Sequence, residues 1–339
     1  AEVIREELKQ PVVKIFAIVL ILSAIVVGNA AYEAGNISGG VLGLETIFGE
    51  HHLELRGFSL NYFSLAIGVF AFILLYIGNY KILEKALITL VVLMSLSFLI
   101  TAIMTQPDMG AILNGFIPQF SDDSILTIAG LIGTTVVPYN LFLHAALVKE
   151  KWQHKKDLKY AKKDTLIAIV LGGIVSMCII VSAAAIQTTS VSNAADLAKG
   201  LEPLFGRFSN YFLGVGLFAA GITSAITAPL AAAYVASGCL GWSSDMKTIK
   251  FRSVWILILI LGVWSSSSGI KSIEIIKFAQ VANGILLPII AGFLVWIVNR
   301  RSILGHYKNN KQQNIIGIII LAITIFLGLK SILKVFEVI

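Results

Sequence analysis

The chain has 339 residues, 57% of them hydrophobic and 13% charged, with a net charge of +7 and a mean hydropathy of +0.87. A soluble domain carries about twice that charged share, so these values argue against a water-soluble enzyme or binding module. The apolar residues fall in blocks of roughly 20, the length of a helix that crosses a bilayer core, and the alternation expected of a membrane barrel is absent. Lipid offers the backbone no hydrogen bonds, so the expected fold class is an all-α membrane protein.

Nine spans are predicted, near 12–47, 60–79, 82–105, 124–147, 165–189, 209–240, 253–268, 273–298 and 314–335, joined by short connections into one integral membrane domain over 1–339. The opening "AEVIREELKQ" begins with Ala1 and reads as the interior of a longer chain, so the domain is expected to be N-terminally incomplete. The first span holds "GNAAYEAGNISGG", residues 28–40, in which Asn29, Tyr32, Glu33 and Asn36 share one helical face. A carboxylate at membrane depth is costly and marks a cavity or a partner. Glu33 is therefore a candidate carrier of a proton or a cation, against the alternative of a neutral, hydrogen-bonded packing group. Gly28, Gly35, Gly39, Gly40 and Gly43 suit close helix packing.

After the third span, the loop "QPDMGAILNGFIPQFSDDS" carries Asp108, Asp122 and Asp123 and no basic residue. It is read as a solvated loop, with an entrance that concentrates cations as the alternative. The fourth span contains "GTTVVPYNLFLHA", residues 133–145. Pro138 has no N–H and its ring clashes with the carbonyl four residues earlier, which frees the carbonyl of Thr134. Thr134, Thr135, Tyr139 and Asn140 add side-chain oxygens around it. Two readings stay open from these residues: a broken helix whose carbonyls bind a cation, or a kink whose carbonyls neighbouring hydroxyls cover. His144 shares a face with Asn140 and reads by itself as a hydrogen-bonded interior histidine. The sixth span contains "AAGITSAITAPLAAAYVASG", whose small residues and hydroxyls point to helix packing, with a contribution to the site as the alternative. In the eighth, "KFAQVANGILLP" spaces Gln280 and Asn283 at i, i+3, either lining a cavity or bridging helices.

The basic residues test the span count. With the first span running from inside to outside, 19 of the 26 lie at inner ends and loops, six lie outside, and Lys277 falls within a span. That bias fits the positive-inside rule and explains the net charge without nucleic acid. The lysine-rich run "KEKWQHKKDLKYAKK" reads as a cytoplasmic loop against anionic lipid. Cys178 and Cys239 lie in apolar segments, which suggests neither a disulfide framework nor a metal cluster. No phosphate-binding loop, metalloprotease histidine pair or CxxC motif occurs. An intramembrane hydrolase would need a base beside its nucleophile, and Glu33 and His144 carry no supporting motif, so no enzyme is expected.

Several stretches together resemble the Nramp family of divalent-metal transporters. "GTTVVPYNLFLHAALVKEK" is similar to the family's broken sixth helix, with its A-x-x-M-P-H-N pattern followed by L-H-S. "NYKILEKALITLVVLM" resembles the fourth-to-fifth connection, "AEVIREEL" the segment before the third helix, and "AQVANGILLP" the tenth helix with its site glutamine. The resemblance implies a LeuT-type fold of two inverted five-helix repeats and one extra helix, the nine spans being the third to the eleventh. It implies a secondary transporter of divalent cations, Mn/Fe-like or Mg-like, working by alternating access as a monomeric unit. The expected location is a bacterial plasma membrane, with the metal as substrate and no cofactor.

On the resemblance, the Thr134 carbonyl, Asn140 and Gln280 would hold the metal. Val137, Pro138, Tyr139 and Asn283 would line its path, and Glu33, Asn36 and His144 would carry protons. The departures are chemical. Thr134, Val137 and Tyr139 stand where the family has Ala, Met and His, and Asn36 replaces one of two third-helix acids. A thioether favours transition metals, so Val137 shifts the expected site towards oxygen ligands and hard cations such as Mg²⁺. Loss of the histidine and of one acid puts proton coupling in question. The rival expectations are a same-fold transporter of another solute and a non-transporting membrane sensor.

Overall fold

The computed structural model describes residues 2–8, 10–49, 52–55, 58–117, 128, 138–152, 154–185, 206–268 and 272–335. After a short helix α1 (Glu2–Glu7), helix α2 runs Pro11–Phe48. Pro11 opens it in the first turn, where its missing N–H costs nothing. At 38 residues it is about 57 Å long, well beyond the ~30 Å of a bilayer core. An antiparallel hairpin follows, β1 (His52–Leu55) and β2 (Phe58–Asn61), paired from His52↔Asn61 to Leu55↔Phe58. Sequence reading starts the second span at 60. The helix α3 (Tyr62–Ile77) instead starts behind Asn61, whose side-chain oxygen accepts from the N–H groups of Phe63 and Ser64. The amide of Asn61 also donates to Glu45 Oε1 at 2.9 Å, which ties the cap to the end of α2.

Gly78, at a left-handed φ of 60°, ends α3 and Asn79 caps α4 (Tyr80–Met104). The acidic loop is not wholly irregular, because Asp108 caps a short helix α5 (Met109–Asn114). The later helices are α6 (Pro138–Lys151), α7 (Leu158–Ala184), α8 (Ser209–Leu240), α9 (Ile249–Ser266), α10 (Ser272–Val298), α11 (Arg301–Leu304) and α12 (Lys311–Val335). Each of the nine predicted spans meets one of these helices, the fourth being described as a continuous helix only from Pro138. Among the described residues, five helices are long and apolar enough to cross a membrane, or up to six if the bent pair at α10–α11 is one span.

The core is the pair α2 and α8. Between helices in lipid the hydrophobic effect gives little, and close van der Waals packing of small residues takes over. A Cβ added to Gly43 would meet the carbonyl oxygen of Gly214 at 2.6 Å, and one on Gly221 would meet Cα of Gly40 at 2.6 Å. Glycine on both sides therefore lets the two backbones touch. Helices α3, α9 and α10 pack on α2, while α4, α6 and α9 pack on α8. Helices α4, α7 and α12 turn large apolar side chains such as Ile88, Ile169 and Ile319 outward. Such a surface suits lipid and not water.

Candidate functional site

The most polar part of the core lies midway along α2. Glu33 has no exposed surface, and Asn29 and Asn36 are buried beside it. Asn36 Nδ2 donates to Glu33 Oε2 at 3.2 Å, the bond that an i, i+3 spacing permits. Glu33 Oε1 is buried and receives no hydrogen bond from the described residues. A buried polar atom without a partner is expensive, and this oxygen is free to take a proton, a water or a cation. Gly262 of α9 makes the room for this side chain: a Cβ there would come to 3.0 Å of Glu33 Cβ and 3.1 Å of Ile37 Cδ1.

Two other helices close around the same level. Asn29 Nδ2 donates to the carbonyl of Ala228 at 2.9 Å, next to Pro229, which lies inside α8 and leaves the carbonyl of Ala225 without its helical donor. From α6, Tyr139 inserts its ring at 2% exposure. It meets Tyr32 edge-on, with ring centroids 5.5 Å apart and planes at 61°, a favoured aromatic geometry. Thr227 of α8 and Glu33 of α2 lie near the Tyr139 side chain.

Towards the lysine-rich end, a cavity of about 320 Å³ opens between α4, α6, α7 and α8. Its wall includes Glu84, Leu143, His144, Lys151, Asp164, Thr227 and Leu230. Glu84 and Lys151 form an ion pair of 3.7 Å. His144 Nε2 lies 3.3 Å from the hydroxyl of Thr165. Thr227 is thus shared by the cavity wall and the buried tyrosine.

Sequence reasoning places Asn29, Tyr32, Glu33 and Asn36 on one face, and Asn36 is bonded to Glu33; Tyr139, assigned to the substrate path, packs on Tyr32 of that face. His144 is hydrogen-bonded as read, but it is exposed on the cavity and not interior. Asn140 is exposed, one residue on from Tyr139 and so on another face of α6. Pro138 is the first residue of α6. Thr134 and Val137 lie outside the described residues, as do the side chains of Pro138, Gln280 and Asn283, though Gln280 and Asn283 belong to α10. Among the described residues no group of three His, Cys, Asp or Glu could hold a metal ion. Sequence reasoning missed Thr227 and Gly262. Thr227 sits in a segment read chiefly as packing, with a site contribution only as the alternative, and nothing in the local sequence of Gly262 points across to Glu33.

A family profile described as natural resistance-associated macrophage protein-like matches residues 1–334. The chain is similar to a protein named divalent metal cation transporter MntH from Vibrio campbellii, 27% identical over 308 residues, covering 88% of this chain and 70% of that relative. It is 26% identical over 343 residues to the MntH of Bacillus subtilis, covering 96% and 76%. A natural resistance-associated macrophage protein 2 homolog of Dictyostelium discoideum is 29% identical over 273 residues, covering 74% and 42%.

Proposed function

The chain belongs to the Nramp family of metal-ion transporters, and on that premise we propose that it moves divalent cations through the centre of the α2–α8 core by alternating access between inverted repeats of the LeuT type. The observation that carries this reading is Glu33: a fully buried acid with one oxygen that no donor among the described residues reaches, next in sequence to Tyr32, on which Tyr139 of α6 packs. A buried acid in a transporter is a functional group by default. In this reading the metal rests on the carbonyl of Thr134, Asn140 and Gln280, a ligand set of oxygen atoms. Val137, Pro138, Tyr139 and Asn283 line the path. Glu33, with Asn36 and His144, carries the proton.

Oxygen ligands without a thioether suit hard cations. Val137 in place of methionine therefore favours an Mg-like over an Mn/Fe-like preference. The transport unit is one chain in a bacterial plasma membrane, with the lysine-rich end in the cytoplasm. The relatives are named as transporters, not enzymes, and the metal is the substrate.

Calorimetry on the purified protein tests the site. Mn²⁺ and Mg²⁺ should both bind, Mg²⁺ should compete with Mn²⁺, and Gln280→Ala should weaken both by at least about tenfold, the loss of one charge-assisted ligand contact. No binding of either metal, with tight binding of an organic solute, would replace this reading with a same-fold transporter of another substrate.

A further inference from the structure

The last turn of α6 is held by charge from two sides. Lys149 Nζ lies 3.2 Å from Glu2 Oε2 of α1, and Lys151 Nζ lies 3.7 Å from Glu84 Oε1 of α4. Two residues apart on a helix, these side chains leave the axis about 200° apart, so the two pairs brace the turn in nearly opposite directions. Both partners are themselves anchored: α1 packs on α2 and α8, and α4 packs on α7 and α8. Glu84 and Lys151 also stand on the wall of the cavity at this end, together with Leu87, Leu147 and Trp152. The Lys151 ammonium lies 4.9 Å from the centre of the Trp152 ring, a cation–π distance that keeps it at the cavity wall. Leu87 follows Glu84 by about one turn and so shares its face of α4.

We propose that Glu2 and Glu84 latch the end of α6: the two ion pairs hold it against α1 and α4 and narrow the cavity mouth, and their release opens the cavity to water and hydrated cations from the lysine-rich side. Each pair is partly exposed, and a single pair of that kind is a weak bond. Two of them on one turn bias the position of α6 without locking it, which is what a reversible gate requires. The rival reading is a pair of solvated surface contacts that set no position. The latch rests on the transport reading, because it governs entry to the cytoplasmic end of the proposed route.

The test reads the opening directly and needs no transport. In the full chain with Cys178 and Cys239 replaced by alanine, Leu87→Cys puts a thiol on the cavity wall. The protein in nanodiscs is treated with two methanethiosulfonates of similar size, one positively and one negatively charged. A change in local charge speeds one reagent and slows the other, so the geometric mean of the two rates reads the opening alone. Glu84→Gln should raise that mean about twofold to fivefold, the population shift that the loss of one exposed ion pair gives. Glu2→Gln should do the same, and the double variant should show the larger, combined effect. Exchanging the charges, Glu84→Lys with Lys151→Glu, should restore the parent rates. A mean unchanged in either single variant, or a charge exchange that fails to restore it, would overturn the proposal in favour of plain surface contacts. A protein that shows this rate order but neither binds nor moves metal keeps the latch and loses the transport reading. Metal uptake with the mean rates unmoved does the opposite.

Discussion

Gly262→Ala isolates the contact between α9 and the buried acid. Glycine to alanine inside a helix gains about 1 kcal/mol of helix propensity, so an unhindered site would become more stable. Here the new methyl would collide with Glu33 Cγ and sit 3.0 Å from Glu33 Cβ and 3.1 Å from Ile37 Cδ1, against the 3.5–4.0 Å or so of good carbon contacts. Overpacking of that degree costs about 1–3 kcal/mol. The net change should therefore be a loss of about 0–2 kcal/mol. Shortening the partner removes the collision with Cγ and leaves the more easily tolerated contacts with Cβ and Ile37. In Glu33→Ala protein, Gly262→Ala should therefore cost about 1–3 kcal/mol less than it does with Glu33 in place. The double-mutant cycle should then show a coupling of about 1–3 kcal/mol, within the range for residues in contact. Thermal melts of the four detergent-purified proteins give the cycle. Additive effects, or stabilisation by Gly262→Ala with Glu33 in place, would refute the claim that Gly262 makes the room for that side chain.

Three further outcomes follow from other parts of the structure. Glu33→Gln keeps the volume and the bond to Asn36 but cannot ionise. Metal uptake should fall by at least about tenfold with little change in melting temperature, as expected if the group acts through its charge; unchanged uptake would assign Glu33 to packing. Gly221→Val puts its branched side chain against the backbone of Gly40, where a Cβ would already stand 2.6 Å from Cα. Because backbone cannot yield as a side chain does, the loss should exceed the usual 1–3 kcal/mol or so of overpacking, and monodisperse protein should not be recovered on gel filtration. Asn61→Ala removes the α3 cap and its link to Glu45, which should lower stability by about 1 kcal/mol in a melt without reducing metal binding.

Much of the helical framework was readable because apolar blocks of membrane length leave the chain few alternatives. The bond between Glu33 and Asn36 was readable for a related reason, since a spacing of three puts two side chains on one turn. Tyr139 was visible as a polar ring in an apolar segment. Thr227 and Gly262 were not visible, because each faces a neighbouring helix or cavity and the local sequence of each argues chiefly for packing. Threonine in a stretch of alanines looks like a residue bonding its own backbone, and Thr227 does that too. The hairpin at 52–61 was missed because its strands are only four residues each, too short for a period to declare itself beside a long apolar run. Asp108 and Asn61 could have been read as helix caps, and attention to their charge and polarity alone concealed it.

The central claim, that divalent cations cross this protein, is tested most directly by uptake into proteoliposomes. With the purified chain in the bilayer and a pH gradient imposed, Mn²⁺ and Mg²⁺ should enter saturably. Each should compete with the other, and Glu33→Gln should reduce the flux of both. Flux of neither ion above that of empty liposomes, from protein that binds them in solution, would contradict the account.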